Sequence, residues 1–240
     1  MKQQLLYKDL AKYYDLIYSE KNYEKEALII KELISRYKKS DGVSLLDVAC
    51  GTGHHIKLLK DEYFCTGLDI NEGILQIARE NVEDVEFIQA DMTSFNLGRK
   101  FDVITCLFSS IGYVKTYQNL SKTMKNFYLH MRKGAVLLIE PWFTKEVYSE
   151  GFPFMTTYDG DNVKIARLNI SERCGNISIM DMHYLIAEKN LGVKHYVERH
   201  ELGLFEADKT LEIMEEAGFQ VKFLMEGALS NRGLYIGVKQ

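Results

Sequence analysis

The chain has 240 residues and a formal net charge of −4; 46% of its residues are hydrophobic and 27% are charged. This composition is typical of a globular protein and is enough for one large domain. No apolar run approaches the roughly 20 residues of a membrane helix, and Met1–Gln4 does not begin a secretory signal. Because no basic run exceeds two residues, nucleic acid is not expected as a main partner. We expect a cytoplasmic enzyme or binding protein that does not contact a membrane.

Strand and helix patterns alternate through the first 140 residues. Residues 1–20 are rich in tyrosine, and the apolar spacing from Glu24 to Lys38 predicts an amphipathic helix. Strands separated by helices predict a parallel sheet. The predicted strands are Val43–Ala49, Tyr63–Leu68, Val85–Ala90, Phe101–Leu107 and Ala135–Ile139. The predicted helices are His54–Lys60, Glu72–Asn81 and Gln118–Met131, with Asp41-Gly42 and Lys133-Gly134 at two helix-to-strand junctions.

The pattern changes after Trp142. Alternating segments separated by turn residues predict an antiparallel β meander at 163–170, 177–186 and 194–202. A helix at 207–217 and strands at 219–225 and 233–238 would complete the main sheet with seven strands. We therefore expect an α/β core from residues 1–141 and 205–240, with an N-terminal lid at 1–22 and an inserted sheet at 142–204.

Two glycines and three acids mark the carboxyl ends of the first three strands. Gly51 and Gly53 permit a tight turn where a helix begins. Asp47, Asp69 and Asp91 follow or end successive strands, at the sheet edge where open α/β folds bind ligands. A carboxylate at Asp69 can accept hydrogen bonds from two adjacent sugar hydroxyls. The alternative is that each acid only caps the helix after it.

Three segments resemble the cofactor motifs of class I S-adenosylmethionine-dependent methyltransferases. They are DVACGTG at 47–53, GLDI at 67–70 and QADM at 89–92, with Ala49 in place of the first of three alternate glycines. The resemblance implies a Rossmann-like, mostly parallel seven-stranded sheet with helices on both faces and the meander over the active site. Segments at 14–18, 108–113, 140–142, 182–184, 195–200 and 233–237 are similar to N-methyltransferases of nucleotide-linked amino-deoxysugars, of the desosamine and mycaminose type.

The resemblance also implies roles for residues of the core. The turn at 49–53 would pass the methionine end of S-adenosylmethionine, Asp69 would hold the ribose diol, Asp91 would accept from the adenine amine, and Ile70 and Met92 would sandwich the ring. The expected cofactor residues are Tyr14, Asp47, Ala49, Cys50, Gly51, Gly53, Asp69, Ile70, Asp91, Met92, Cys106 and Leu107.

Residues outside the cofactor motifs are the candidates for the acceptor side. An amine acceptor must lose a proton to a side chain or to solvent, so we expect catalytic roles for Tyr14, Glu140 and His183, the last facing inward beside Asp181. Arginines would pair with a diphosphate. The expected substrate contacts are Tyr18, Ser109, Ser110, Trp142, Arg167, His195, His200 and Arg232. Each of these roles has a structural alternative. The tyrosines would then only anchor their segment, Trp142 would pack under the meander, and an arginine would lie on the surface without a ligand.

The sequence thus predicts an S-adenosylmethionine-dependent methyltransferase that acts on a small-molecule amine. A dTDP-linked amino-deoxysugar, methylated once or twice, is the favoured substrate, no metal is required, and a homodimer is left open. The alternatives are another small-metabolite or peptide-terminal amine or hydroxyl as acceptor, or a cofactor-binding regulator without turnover. A nicotinamide oxidoreductase is disfavoured because the glycines do not continue as GxGxxG.

Overall fold

The computed structural model describes residues 10–225, 229 and 231–240, so the first nine residues of the expected lid lie outside the described part. The helices are α1 (Tyr14–Ile17), α2 (Tyr23–Tyr37), α3 (His54–Leu59), α4 (Glu72–Asn81), α5 (Tyr117–Leu129) and α6 (Ala207–Glu216). The strands are β1 (Ser44–Val48), β2 (Phe64–Asp69), β3 (Glu86–Gln89), β4 (Phe101–Cys106), β5 (Met131–Ile139), β6 (Pro153–Asp159), β7 (Val163–Cys174), β8 (Ile177–Glu188), β9 (Gly192–Gly203), β10 (Phe219–Leu224) and β11 (Leu234–Lys239). Short 3-10 turns lie at Ala11–Tyr13 and Ser110–Val114.

The main sheet has seven strands in the order β10-β11-β5-β4-β1-β2-β3. The five strands β1 to β5 run parallel, and β11 and β10 are antiparallel to their neighbours. Helices cover both faces, since one buried cluster joins the sheet to α5 and α6 and another joins it to α2 and α3. All six residues of the central strand β4 are buried, as expected for a strand covered on both sides. The predicted fold class is confirmed.

A second, antiparallel sheet in the order β6-β7-β8-β9 lies within residues 142–204. Its inward face buries Ile165, Tyr184 and Ile186 against Tyr13 and Tyr14 of the N-terminal segment. The sheet therefore holds the described part of that segment against the core. The opposite face also carries apolar side chains, which are exposed at Met155, Ile170, Leu185 and Val197.

Two elements differ from the sequence prediction. β6 was not predicted, because it is an edge strand whose residues are mostly exposed and show no alternation of burial. β5 begins at Met131, which pairs with Phe101, so Lys133-Gly134 lies inside this strand rather than at a junction. The pairing register shifts just after Phe101, and Gly134 takes a φ of 77° there. Because Met131 pairs with β4, the helix that was predicted to end at Met131 ends at Leu129 instead.

Among the described residues, no helix combines the length and the hydropathy of a bilayer-crossing segment.

Candidate active site

The turn between β1 and α3 is formed by residues in the left-handed region. Ala49, Gly51 and Gly53 have φ angles of 58°, 57° and 82°. The N–H of Cys50 donates to the carbonyl of Leu68 at 3.0 Å, which fixes the turn to β2. A Cβ on Gly51 would lie 4.0 Å from the Tyr14 hydroxyl, so the lid reaches the backbone of the turn. Ala49 accepts a conformation that costs an L-residue about 1–2 kcal/mol.

Two acids of the predicted set lie beside this turn. Asp47 is buried, its Oδ1 accepts from the Thr105 hydroxyl at 2.7 Å, and its Oδ2 has no hydrogen bond within the described residues. Asp69 accepts the N–H of Gly51 at 3.1 Å and that of Asn71 at 3.0 Å. Burial raises the pKa of Asp47, and burial raises the pKa of Asp69 to about 6.

These acids fit the donor that the motifs imply. A carboxylate offers about four acceptor positions, so Asp69 keeps about two for a pair of ribose hydroxyls. A buried carboxylate oxygen without a donor, as at Asp47, costs free energy that a ligand ammonium can offset. These contacts stay predictions. The same holds for Asp91, whose Oδ1 accepts from Thr93 N–H at 2.8 Å, for exposed Ile70 and for half-buried Met92.

One cleft brings many of the expected residues together. It is lined by the predicted residues Tyr14, Asp47, Ala49, Cys50, Gly51, Leu107 and Ser110. It is also lined by Tyr23, Thr52, His54, His55 and Phe108. Cys106 is fully buried, and burial raises its pKa, so this thiol is neutral. Gly53 packs away from the cleft, near Val82.

The lid is tied to the glycine turn by an acid that sequence reasoning missed. Asp15 of α1 accepts from the Thr52 hydroxyl at 2.7 Å, lies 3.0 Å from His54 Nε2, and accepts from the Asn81 amide at 3.2 Å. Burial would raise the pKa of Asp15, but these hydrogen bonds lower it. The carboxylate therefore stays charged and holds α1 against the turn.

A second buried pair lies at the start of α2. Glu26 Oε2 is 2.8 Å from His55 Nε2, and Lys21 pairs with the same carboxylate. Tyr23 stacks on His54 with ring centroids 4.4 Å apart. In the sequence, Tyr23 is marked only by its place at the start of a helix, directly after Asn22, whose side chain caps α2. Nothing in the sequence indicated that this helix end faces the turn.

Two tyrosines of the N-terminal segment lie at the cleft. Tyr14 is buried, and burial, together with the neighbouring phenols of Tyr18 and Tyr23, raises its pKa. Tyr18 meets the Phe108 ring edge-on at 5.0 Å and accepts from Arg167 Nη1 at 2.8 Å. The predicted substrate residues Tyr18 and Arg167 therefore lie together beside the cleft.

Glu140 and Arg232 form an ion pair instead of separate catalytic and phosphate sites. Arg232 Nη2 lies 2.8 Å from Glu140 Oε1, and the Phe108 N–H donates to Glu140 Oε2 at 2.7 Å. With both carboxylate oxygens engaged, the pair supports the backbone of Phe108 and Ser109, whose φ angles are 52° and 63°. The structure therefore favours a supporting role for both residues over the predicted roles.

Ser109 and Trp142 are also engaged in packing. The Ser109 hydroxyl donates to the Pro141 carbonyl at 2.7 Å, and the Trp142 indole N–H donates to the Ser178 hydroxyl at 2.9 Å. The indole is thus fixed to the second sheet, as in the alternative role considered for it.

The predicted inward orientation of His183 is wrong, and His195, an expected substrate contact, lies on the same outer face. Their rings stack at 5.3 Å on the exposed face of the second sheet. On β8 the even-numbered side chains, such as Tyr184, face the core, so His183 points away from the cleft. Asp181 lies on the same outer face and pairs with Arg199. His200 does face inward, with its Nδ1 2.7 Å from the Tyr113 hydroxyl.

Comparisons with known proteins agree with this fold. A family described as "Methyltransferase domain" matches residues 45–134. A dTDP-3-amino-3,4,6-trideoxy-alpha-D-glucopyranose N,N-dimethyltransferase from Streptomyces venezuelae is 37% identical, over 96% of this chain and 98% of its own. The crystal structure of Streptomyces venezuelae DesVI superposes with a TM-score of 0.90 at 36% identity, covering 97% of this chain and 99% of its own.

A structure with bound donor is also similar. CalS10, an amino pentose methyltransferase from Micromonospora echinaspora solved with S-adenosylmethionine, superposes with a TM-score of 0.82 at 27% identity, covering 92% of each chain. S-adenosylmethionine is therefore the cofactor of this protein. The chain belongs to the S-adenosylmethionine-dependent methyltransferases, in the family that includes dTDP-amino-deoxysugar N,N-dimethyltransferases.

Proposed function

We propose that the protein transfers methyl groups from S-adenosylmethionine to the amine of a dTDP-linked amino-deoxysugar and forms the N,N-dimethylated product. The observation that carries this proposal is how much of the chain is similar to an amino-sugar methyltransferase. The methyltransferase family match covers only residues 45–134, whereas the 37% identity to the Streptomyces venezuelae enzyme covers 96% of the chain. It therefore extends into the N-terminal segment and the second sheet, which we expect to form the acceptor side.

Groups at the cleft support this proposal. The donor supplies a methyl group already activated by a sulfonium, so the protein mainly has to hold the amine in line with it. Tyr14, Tyr18 and Phe108 enclose the space next to the glycine turn, and the half-buried Arg167 guanidinium uses one of its five N–H donors on Tyr18. Its remaining donors suit a diphosphate.

The test is methyl transfer by purified protein. We expect the dTDP-3-amino-dideoxysugar to gain first one and then two methyl groups in mass spectrometry, with S-adenosylhomocysteine formed in equal amount. The dTDP-4-amino isomer, offered in parallel, tests whether the cleft selects the amine position. Transfer only to a hydroxyl, or to a peptide amine, would select the alternative acceptors.

A regulator is distinguished by the same assay. Tight binding of S-adenosylmethionine without transfer to any amine or hydroxyl acceptor would contradict the enzymatic proposal. The homodimer and the cytoplasmic location stay predictions; the mass of the protein in solution tests the first of them.

A further inference from the structure

The inward face of the second sheet carries an acid and a histidine that lead toward the cleft. Glu198 and His200 lie two positions apart on β9, so their side chains share one face, and they are 4% and 5% exposed. His200 Nε2 lies 3.4 Å from Glu198 Oε2, and His200 Nδ1 lies 2.7 Å from the hydroxyl of Tyr113. A carboxylate at this position orients the imidazole ring.

Tyr113 connects this pair to the acceptor side. It belongs to the 3-10 turn that begins at Ser110, a residue that lines the cleft. Its phenol is near enough to Tyr14 to contribute to the raised pKa of Tyr14, after burial and the other tyrosines. Tyr14 itself lies 4.0 Å from the Cβ position of Gly51. The Glu198–His200–Tyr113 array thus runs from the second sheet to the lid tyrosine over the donor turn.

An amine acceptor presents the array with a proton to remove. Amino sugars are largely ammonium ions at neutral pH, and an ammonium has no lone pair with which to attack a methyl carbon. Resting on the amine acceptor proposed above, we propose that the Glu198–His200–Tyr113 array takes this proton. Tyr113 contacts the acceptor, while His200 and Glu198 are positioning residues that receive and stabilise the charge.

The steps balance in protons and electrons. The ammonium N–H bond breaks as its proton passes to the Tyr113 oxygen, and the original Tyr113 proton passes to His200 Nδ1. The imidazolium lies beside the Glu198 carboxylate. The neutral amine nitrogen then forms the N–C bond with its lone pair, and the electrons of the C–S bond leave with sulfur. His200 releases its proton to solvent before the second methylation.

Other charged or titratable groups lie on the elements packed against the array. They are Tyr14 from α1, Tyr18 just after it, Arg167 from β7, Tyr184 from β8, and the Lys115–Glu201 ion pair at the edge of the 3-10 turn. Burial raises the pKa of Tyr14 and of Tyr184, so these phenols stay protonated through neutral pH. Among these groups, His200 carries the imidazole, the side-chain type suited to proton transfer near neutral pH.

The test compares pH profiles of His200→Asn and the wild type on the same amino-sugar nucleotide. Asparagine retains an acceptor near the Nδ1 position and so keeps Tyr113 in place, but it cannot take up a proton. We expect kcat to fall about 100-fold at pH 7, within the range for a lost acid–base group. The ratio of wild-type kcat to variant kcat should fall towards one as the pH rises past the pKa of the substrate amine. Donor affinity should not change.

Two further variants ensure that the conclusion does not depend on His200→Asn alone. Tyr113→Phe keeps the ring and removes the hydroxyl, and it should give the same pH-dependent loss. The double variant should lose no more than either single one, because both break the same array. The matched control is His195→Asn, the same change on the outward face of β9, which should retain wild-type rates at every pH.

The outcomes separate the two proposals. A loss in His200→Asn that is equal at every pH, or full activity of Tyr113→Phe from pH 6 to 9, would overturn the array while amine methylation by the wild type stands. A wild type that methylates no amine at any pH would overturn both.

Discussion

Replacement of Asp69 by asparagine tests how burial of this acid relates to donor binding. The carboxyl group has its pKa raised from 3.8 to about 6, which at about 1.4 kcal/mol per tenfold change in proton affinity corresponds to roughly 3 kcal/mol. Because the native state binds this proton more tightly than the unfolded chain, the unfolding free energy of the wild type falls as the pH rises from about 4 to 6. Above pH 6 the unfolding free energy remains at this lower value.

Asparagine removes this cost because it does not ionise. Its single carbonyl oxygen can serve only one of the two backbone donors, Gly51 N–H and Asn71 N–H, so about 1 kcal/mol is lost. We expect Asp69→Asn to be slightly less stable than wild type near pH 4 and about 2 kcal/mol more stable at pH 7. Urea unfolding without donor, followed by the fluorescence of the single tryptophan, measures the difference.

The same variant should bind the donor poorly. Loss of hydrogen bonds from ribose hydroxyls to a charged acceptor costs about 1.5–3 kcal/mol, which is roughly 10- to 100-fold in Kd. Titration calorimetry at pH 7.5 measures this loss. Wild-type affinity should also weaken as the pH falls below about 6, where Asp69 becomes protonated.

Asp102→Asn is the matched control with the opposite sign. Burial would raise the pKa of Asp102, but hydrogen bonds from Ser44 lower it, and the residue lies at the end of β4 away from the cleft. This variant should be less stable at pH 7, with a difference that shrinks below pH 4, and should bind the donor normally. A stability difference for Asp69→Asn that stays constant from pH 4 to 7 would refute the burial argument. Unchanged donor affinity would refute the ribose contact.

Three further predictions concern the supports of the cleft. Ala49→Gly relieves the left-handed backbone (φ 58°) and should raise the unfolding free energy by about 0.5–1 kcal/mol in urea melts, whereas Ala27→Gly in α2 should lower it. Arg232→Met leaves the buried Glu140 carboxylate without its cation and should cost about 3–5 kcal/mol in thermal unfolding; adding Glu140→Gln should recover part of that loss, and strict additivity would argue against the pair. Gly67→Ala would place a Cβ 2.4 Å from the Phe87 ring, so a lowered melting temperature is expected, and an unchanged one would contradict the close packing of β2.

The parallel core was predictable because its signals are local. A strand such as β4, apolar on both faces, needs helices on both sides, and chain order then places successive carboxyl ends at one edge. Asp47 and Asp69 ended up beside the glycine turn for this reason. Even Ala49 in the glycine position kept the turn, because a small side chain tolerates a left-handed backbone at modest cost.

The acceptor side depended on contacts between distant parts of the chain. Glu140 and Arg232 are 92 positions apart, and Tyr113 and His200 are 87 apart, so neither pairing leaves a trace in local patterns. The face of each strand in the second sheet was also undetermined, because an alternating pattern fixes which side chains lie together but not which side is buried.

Leu185 and Val197 are apolar and yet point outward, so hydrophobicity did not identify the inner face of that sheet. The sequence by itself determined the sheet, the turn and the acids at its edge, since these follow from backbone conformation and side-chain period. Packing of the N-terminal segment against the second sheet decided that His200 faces inward and His183 faces outward, because only the folded chain shows which face is covered.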